Sequence, residues 1–253
     1  MISLDASSVL LQWATGGLFF GWLTGRHRMV GLGYRWLLLS VYGTFALLAF
    51  AVGARFDFVP VRDLAALAVA VVAFGLFVLS FVRRRRDPVE VYDLRLDVVA
   101  PVIGLVGVVA AGINAGDPLW LSVARMVVGA AFLGAVSDAM LLGHWYLVQP
   151  GLSRAPLSEL VRWTGALWLP ETILLLVPTG MVSVWTGAID DGYAGMLGWF
   201  WGACVVTTIG LVIATMAALR EKQYSAVMAA TGLLYLAILT GFGIDLVARA
   251  TLA

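Results

Sequence analysis

The sequence predicts an all-α polytopic membrane protein, a transmembrane helix bundle of about eight spans. Three observations carry this. Charged residues make up only 12% of the chain while hydrophobic ones reach 62%, whereas about a quarter of an ordinary soluble domain is charged. The mean hydropathy is +0.97. The apolar residues also fall into long runs, with arginines gathered in alternate loops between them.

A span needs about 20 apolar residues to cross roughly 30 Å of hydrocarbon. The runs read as Val9–Leu23, Trp36–Ala54, Leu64–Val82, Val98–Ile113, Trp120–Leu142, Ser158–Val184, Ala194–Leu219 and Ser225–Val247. The fourth is short and Gly-rich, with Pro101 near its start. Uninterrupted apolar runs exclude the alternating pattern of a membrane barrel, so helix is the state they take. Met1 to Ser8 carries Asp5 and no Lys or Arg, so the first run reads as a retained span rather than a cleaved signal.

Arginine placement sets the orientation. Loop one has Arg26, Arg28 and Arg35, with His27; loop three has Arg83, Arg84, Arg85, Arg86 and Arg95; loop five has Arg154; loop seven has Arg220 and Lys222. Loop four has no Lys or Arg, loop six carries Asp190 and Asp191, and in loop two Arg55 and Arg62 are balanced by Asp57 and Asp63. The positive-inside rule puts the odd loops in the cytoplasm of a plasma or bacterial inner membrane and both termini outside. The Arg83–Arg86 run serves as a topology determinant or a grip on anionic lipid head groups.

The net charge of +1 offers no basic face for nucleic acid. The single cysteine, Cys204, makes no internal disulfide and no metal framework. No H-E-x-x-H, G-x-S-x-G or Walker loop is present, so neither a catalytic nucleophile nor a metal motif is indicated, and enzymatic activity is left open.

The chain reads as one integral membrane domain over residues 1–253, with signs of a parallel 4+4 repeat whose halves are 1–115 and 116–253. Gly16-Gly17-Leu18-Phe19-Phe20-Gly21 and Gly129-Ala130-Ala131-Phe132-Leu133-Gly134 share a G-x-x-F-x-G frame. Arg35-Trp36 to Gly53 and Arg162-Trp163 to Gly180 span the same interval. Gly75-Leu76 matches Gly210-Leu211, and Gly112-Ile113-Asn114 matches Gly243-Ile244-Asp245. In this register Asp138 falls opposite Gly25 and Glu171 opposite Thr44, so the second half has gained acids.

An ionisable group in hydrocarbon is costly and is by default a functional candidate. Asp138 lies about 15 Å from the Val148 end of the fifth span, and Glu171 about 20 Å from Ser158 in the sixth. These spans are antiparallel neighbours, so both acids sit near the midplane. Brought together, the two cannot both ionise comfortably, which leaves a shared or exchangeable proton. His144 follows about 9 Å nearer the cytoplasm, on the face of Ser137. Ser137, Asp138, Glu171 and His144 therefore form a candidate proton relay or binding site. The bland alternative makes the acids interhelical hydrogen-bonding groups and His144 part of an aromatic interfacial belt with Trp145 and Tyr146.

Pro170 and Pro178 flank Glu171 and predict a kink at the site. Arg125 in the fifth span and Asp245 in the eighth have similar depth and opposite charge. They read as a structural ion pair, although Asp245 can instead pair with Arg249 four residues on.

The leading functional reading is a membrane-embedded subunit that handles protons, with quinone as a candidate ligand, in a redox or proton-linked assembly. The alternatives are a proton-coupled transporter of a small solute or cation, and a structural or assembly protein. The implied partners are the lipid bilayer and other membrane or redox subunits. A b-type haem between His27 and His144 is disfavoured by the arginines beside His27, so the cofactor is left open.

Overall fold

A computed structural model describes residues 5–86, 94–116, 118–177 and 180–252. Among these residues every regular element is helical. The order is α1 Ala6–Gly25, α2 Leu32–Phe56, α3 Pro60–Arg86, α4 Leu94–Asp97, α5 Val99–Asn114, α6 Leu119–Val148, α7 Ala155–Leu176, α8 Met181–Trp185, α9 Met196–Arg220 and α10 Tyr224–Leu252. A helix satisfies its backbone polar groups within the segment, which is what an apolar run in lipid requires. Pro60 opens α3, where its missing N–H costs nothing.

Among the described residues six helical segments are long and apolar enough to cross a membrane: α2, α3, the α4–α5 stretch, α6, α9 and α10. The chain thus has the helices of a multi-pass membrane protein. At 20 and 22 residues, α1 and α7 are about 30 and 33 Å long. They have the length of a span but a more polar composition. In α1 that polarity is turned inward, because Ser7, Ser8, Gln12, Thr15 and Thr24 are all buried. In α7 it includes Glu159, Arg162 and Glu171.

The helices divide into two compact units. One takes Ala6–Gly134 and Gly151–Pro156; the other takes Met1–Asp5, Ala135–Pro150 and Leu157–Ala253. The unit boundary falls inside α6.

In the first unit α1 packs on α2, α2 on α3, α3 on α5, and α5 returns to α1, closing a ring of four. Lipid tails are as apolar as leucine, so such helices associate through close packing of small residues. At Gly16 an added Cβ would collide with the Ala130 carbonyl, and at Gly134 with the Gly16 backbone, so α1 and α6 cross backbone to backbone. At Gly107 on α5 it would come within 2.8 Å of both Ala65 Cβ and Leu11 Cδ2. Leu11, Ala49, Ala66, Val108, Ala111, Met126 and Ala130 form the core there.

In the second unit α9 packs along α10. The Trp201 indole N–H donates to the Ile244 carbonyl at 3.0 Å, and Thr208 Oγ1 donates to Thr240 Oγ1 at 2.7 Å. Trp168 on α7 donates to the Val205 carbonyl of α9 at 3.0 Å. Tyr224 on α10 donates to the Tyr146 carbonyl of α6 at 3.1 Å.

The run expected as one span over Ser158–Val184 is two helices. α7 ends at Leu176, and the short α8 follows from Met181. Gly180 lies so close to the Leu175 and Leu176 carbonyls that an added Cβ would collide with them. The chain therefore turns back on the end of α7 at a place only glycine can occupy. Pro178 lies outside the described residues. Pro170 sits inside α7, which continues through it, and the Ala166 carbonyl loses its helical donor there.

Candidate functional site

Asp138 and Glu171 both belong to the second unit, and both are fully buried. Every residue of α6 from Phe132 to Ala139 is buried, so Asp138 and its neighbour Ser137 sit on a helix enclosed on all sides. On α7 the buried positions are Pro156, Leu157, Leu160, Val161, Thr164, Glu171 and Leu175. This is a single helical stripe. Trp168, three residues before Glu171 and on the same stripe, donates to α9. Glu171 therefore lies on the face of α7 that packs inward, and neither acid is turned to lipid. A buried carboxyl avoids a large penalty only by pairing, hydrogen bonding or holding its proton.

Other buried hydroxyls belong to the same unit. Thr208 and Thr215 on α9 and Thr231 on α10 are each buried. Thr215 and Thr231 donate to the carbonyl four residues back, at 2.7 and 2.9 Å. Such back-bonding lets a polar side chain sit in an apolar helix without a missing partner.

His144 is exposed near the end of α6. Its Nδ1 lies 3.0 Å from the Tyr235 hydroxyl on α10, and the rings meet edge to face at 6.2 Å. When the phenol donates to Nδ1, the imidazole carries its proton on Nε2. The neighbouring Trp145 indole N–H donates to Gln149 Oε1 at 3.2 Å. Tyr235 was not legible as a partner, because it lies 91 residues from His144 in the chain.

Arg125 is half-buried in the first unit, whereas Asp245 is buried in the second. Arg249 Nε donates to Asp245 Oδ1 at 2.7 Å, the local i,i+4 pairing. Arg83–Arg86 form the exposed end of α3. Among the described residues no three His, Cys, Asp or Glu side chains group as a metal site would require.

Three polar clusters were not legible as such. In the first unit Arg62 and Asp63 are buried together, with Nε to Oδ1 at 2.8 Å. Asp63 also accepts the Ser7 hydroxyl at 3.1 Å and the Val59 N–H at 2.7 Å, and Ser7 donates to the Ala49 carbonyl at 2.8 Å. Gly53 leaves the space that the Asp63 carboxylate occupies. From the sequence these charges only cancelled one another in a loop. At the opposite end of the same helices, Arg35 pairs with Asp97, its Nε lying 3.1 and 2.9 Å from the two carboxylate oxygens. Trp22 donates to the Leu94 carbonyl at 3.1 Å beside it.

The third cluster is the loop before α9. Asp191 is buried and accepts N–H groups from Tyr193 at 2.9 Å, Gly195 at 2.8 Å and Leu197 at 2.9 Å. Burial pushes its carboxyl up, but the backbone donors of Gly195, Tyr193 and Leu197 outweigh this and leave it below the usual carboxylate value. Three glycines with positive φ, Gly187, Gly192 and Gly195, let the loop fold around it.

No protein-family model, no curated protein and no solved structure matches this chain.

Proposed function

We propose that the chain is an eight-span protein of the plasma or bacterial inner membrane, with both termini outside, that handles protons through Asp138 and Glu171. In this reading it is the membrane-embedded subunit of a redox or proton-linked assembly. The observation that carries the proposal is the complete burial of two carboxyls, on α6 and α7, within one helical unit. Intramembrane acids of this kind are expensive to keep and mark proton pathways. The interior polarity of α1 and α7 accounts for their place as the two less apolar spans.

His144 extends the path toward the loop-side surface. An exposed imidazole oriented by a tyrosine, beside Trp145, offers the hydrogen-bonding group and flat aromatic surface that a quinone head group requires. A second reading, a proton-coupled transporter, is favoured by Pro170, which interrupts the α7 hydrogen-bond ladder one residue before Glu171. A 4+4 duplication, which we propose as well, would favour the transporter reading. In the first unit the ring runs α1, α2, α3, α5; in the second, α7 meets α9, α9 meets α10, and α10 meets α6 in the same cyclic order.

The test is infrared spectroscopy of the purified protein in lipid at neutral pH. The expected result is a protonated-carboxyl stretch that shifts in heavy water and weakens in Asp138→Asn or Glu171→Gln. A band that never exchanges with solvent, or no band at all, would overturn the proton-handling reading.

A further inference from the structure

We propose that the wedge between Trp185 and Trp199, where α8 meets α9, is a binding site for a small quaternary ammonium ion of the choline type, free in solution. Trp185 closes α8, and two glycines of α9 set its ring. A Cβ added at Gly198 would come within 2.8 Å of Trp185 Cδ1 and 2.9 Å of Nε1, and one at Gly202 within 3.2 Å of Cζ2. The indole therefore stands with its N–H edge in the groove that Gly198 and Gly202 leave, about one helical turn apart. Positions 199 and 201 flank that groove on opposite sides. Trp201 meets the Trp185 ring edge to face at 5.8 Å and is itself pinned by its N–H bond to the Ile244 carbonyl. Trp199 lies on the other side, its centroid 6.2 Å from that of Trp185 and its plane tilted by 47°.

Two rings tilted against each other at this separation leave a cation at the mouth of the wedge within about 6 Å of both centroids, the range of cation–π attraction. Trp185 is 41% and Trp199 75% exposed, so the wedge is open, while Trp201 is buried and supports it. The ring faces offer no carbonyl or carboxylate acceptor. That suits a quaternary ammonium, which has no N–H groups to leave unpaired when it gives up water.

Charge favours a cation here and disfavours a phosphate. The sequence has no Lys or Arg between Arg162 and Arg220. The arginine of α10, Arg249, is engaged by Asp245. The loop between α8 and α9 brings two acids instead. Asp191 is turned inward onto its backbone donors, while Asp190 is exposed and accepts the Gly192 N–H at 2.8 Å. The Ile189 N–H donates to the Ser183 carbonyl at 3.0 Å, which returns the loop to α8 and sets Asp190 beside that helix. A choline phospholipid would bring its phosphate to a loop that offers no guanidinium or ammonium to receive it, so the free cation fits better. The wedge does not depend on the proton chemistry proposed for Asp138 and Glu171.

The experiment titrates choline chloride into the full chain in a neutral, choline-free maltoside detergent and follows the indole N–H signals by NMR at constant ionic strength. W185F identifies the Trp185 signal, and circular dichroism checks folding. Choline should move the Trp185 signal saturably, in the millimolar range. Its neutral carbon isostere, 3,3-dimethylbutanol, should move it far less. W199L removes an exposed ring and should weaken choline binding by about fivefold, the worth of one cation–π contact; W199F should lose less. W120L, which removes an exposed tryptophan of α6, should leave binding as it was. An equal response to the isostere would reduce the wedge to an apolar patch and overturn the proposal. So would the absence of a saturable shift, or choline binding unchanged in W199L. Phosphocholine should bind more weakly than choline; equal or tighter binding would assign the wedge to a lipid head group and overturn the free-cation assignment.

Discussion

The Tyr235 hydroxyl lies 3.0 Å from His144 Nδ1, joining α10 to α6 through a hydrogen bond at an exposed position. Phenols are good donors, and an imidazole that accepts at Nδ1 keeps its proton on Nε2. In Tyr235→Phe this bias disappears. The nitrogen NMR signals of His144 should report one dominant tautomer in the native chain and a mixture in the variant. Stability should fall by only about 1 kcal/mol, the usual worth of one such bond. An unchanged tautomer ratio would show that the tyrosine does not orient the ring.

The buried pair Arg62–Asp63 leads to a different expectation. Asp63 accepts from Arg62, Ser7 and Val59, so removing the arginine alone strands a buried carboxylate. Arg62→Leu should destabilise the protein by about 3–5 kcal/mol. Ser7 and the Val59 N–H donate to different carboxylate oxygens, so in Arg62→Leu/Asp63→Asn the single amide oxygen keeps one of the two bonds while the stranded charge is gone, and part of the loss should return. Thermal unfolding in lipid measures both. A double variant no better than the single one would mean that the arginine acts by packing, not by charge.

These two relationships mark where the sequence was and was not readable. The long apolar runs were visible because hydropathy is a local, one-dimensional signal, and most expected spans coincide with helices. The glycine frames at Gly16 and Gly134 were also visible, but as signs of repetition. Their physical work is to let α1 and α6 approach at the backbone, which spacing within a frame does not encode. Arg62 and Asp63 looked like a balanced loop because nothing local says that Ser7, 56 residues away, closes over them. The end of α7 was misplaced because apolar residues continue past Leu176, and the close approach of Gly180 to the Leu175 and Leu176 carbonyls is not a hydropathy signal. The burial of Asp138 and Glu171 was legible because a carboxylate in an apolar run stands out without knowledge of its neighbours.

The proposed membrane sidedness rests on the arginine distribution. Arg85 and Ala188 are both exposed, which makes them suitable single-cysteine positions in a Cys204→Ala background. Asp191 is unsuitable because its carboxylate organises the loop. An impermeant thiol reagent added to intact cells should label Ala188→Cys and reach Arg85→Cys only after permeabilisation. The reverse pattern would invert the proposed topology.

Asp191 also predicts a pH dependence. Its carboxyl is held below the ordinary value of 3.8, so the folded state binds its proton less readily than the unfolded state. The stabilisation is fully present above 3.8 and is lost as pH falls through the lower folded value. The Tm of the native chain should exceed that of Asp191→Asn at neutral pH, and the gap should shrink on acidification below about 4. A gap that stays constant down to that region would mean that the backbone donors do not favour the ionised form.

Two acids that share a site behave differently from two that are merely both buried. In Asp138→Asn and Glu171→Gln the amides match the protonated acids in size, so each variant should fold. If the carboxyls share a proton, each substitution alters the field and hydrogen bonding of the other. The infrared band of the remaining acid should then move in frequency in each single variant. Two independent acids would instead each lose one band and leave the other where it was, and the shared-site reading would fail on that result alone. Activity supplies the second criterion. Proton-linked function should be abolished in both amide variants, which keep hydrogen-bonding capacity but cannot release a proton. His144→Ala should only slow it, since water can replace a relay group at an exposed position. Full activity in both amide variants, together with unmoved bands, would make Asp138 and Glu171 separate interhelical hydrogen-bonding groups and give the structural reading of the chain the stronger claim.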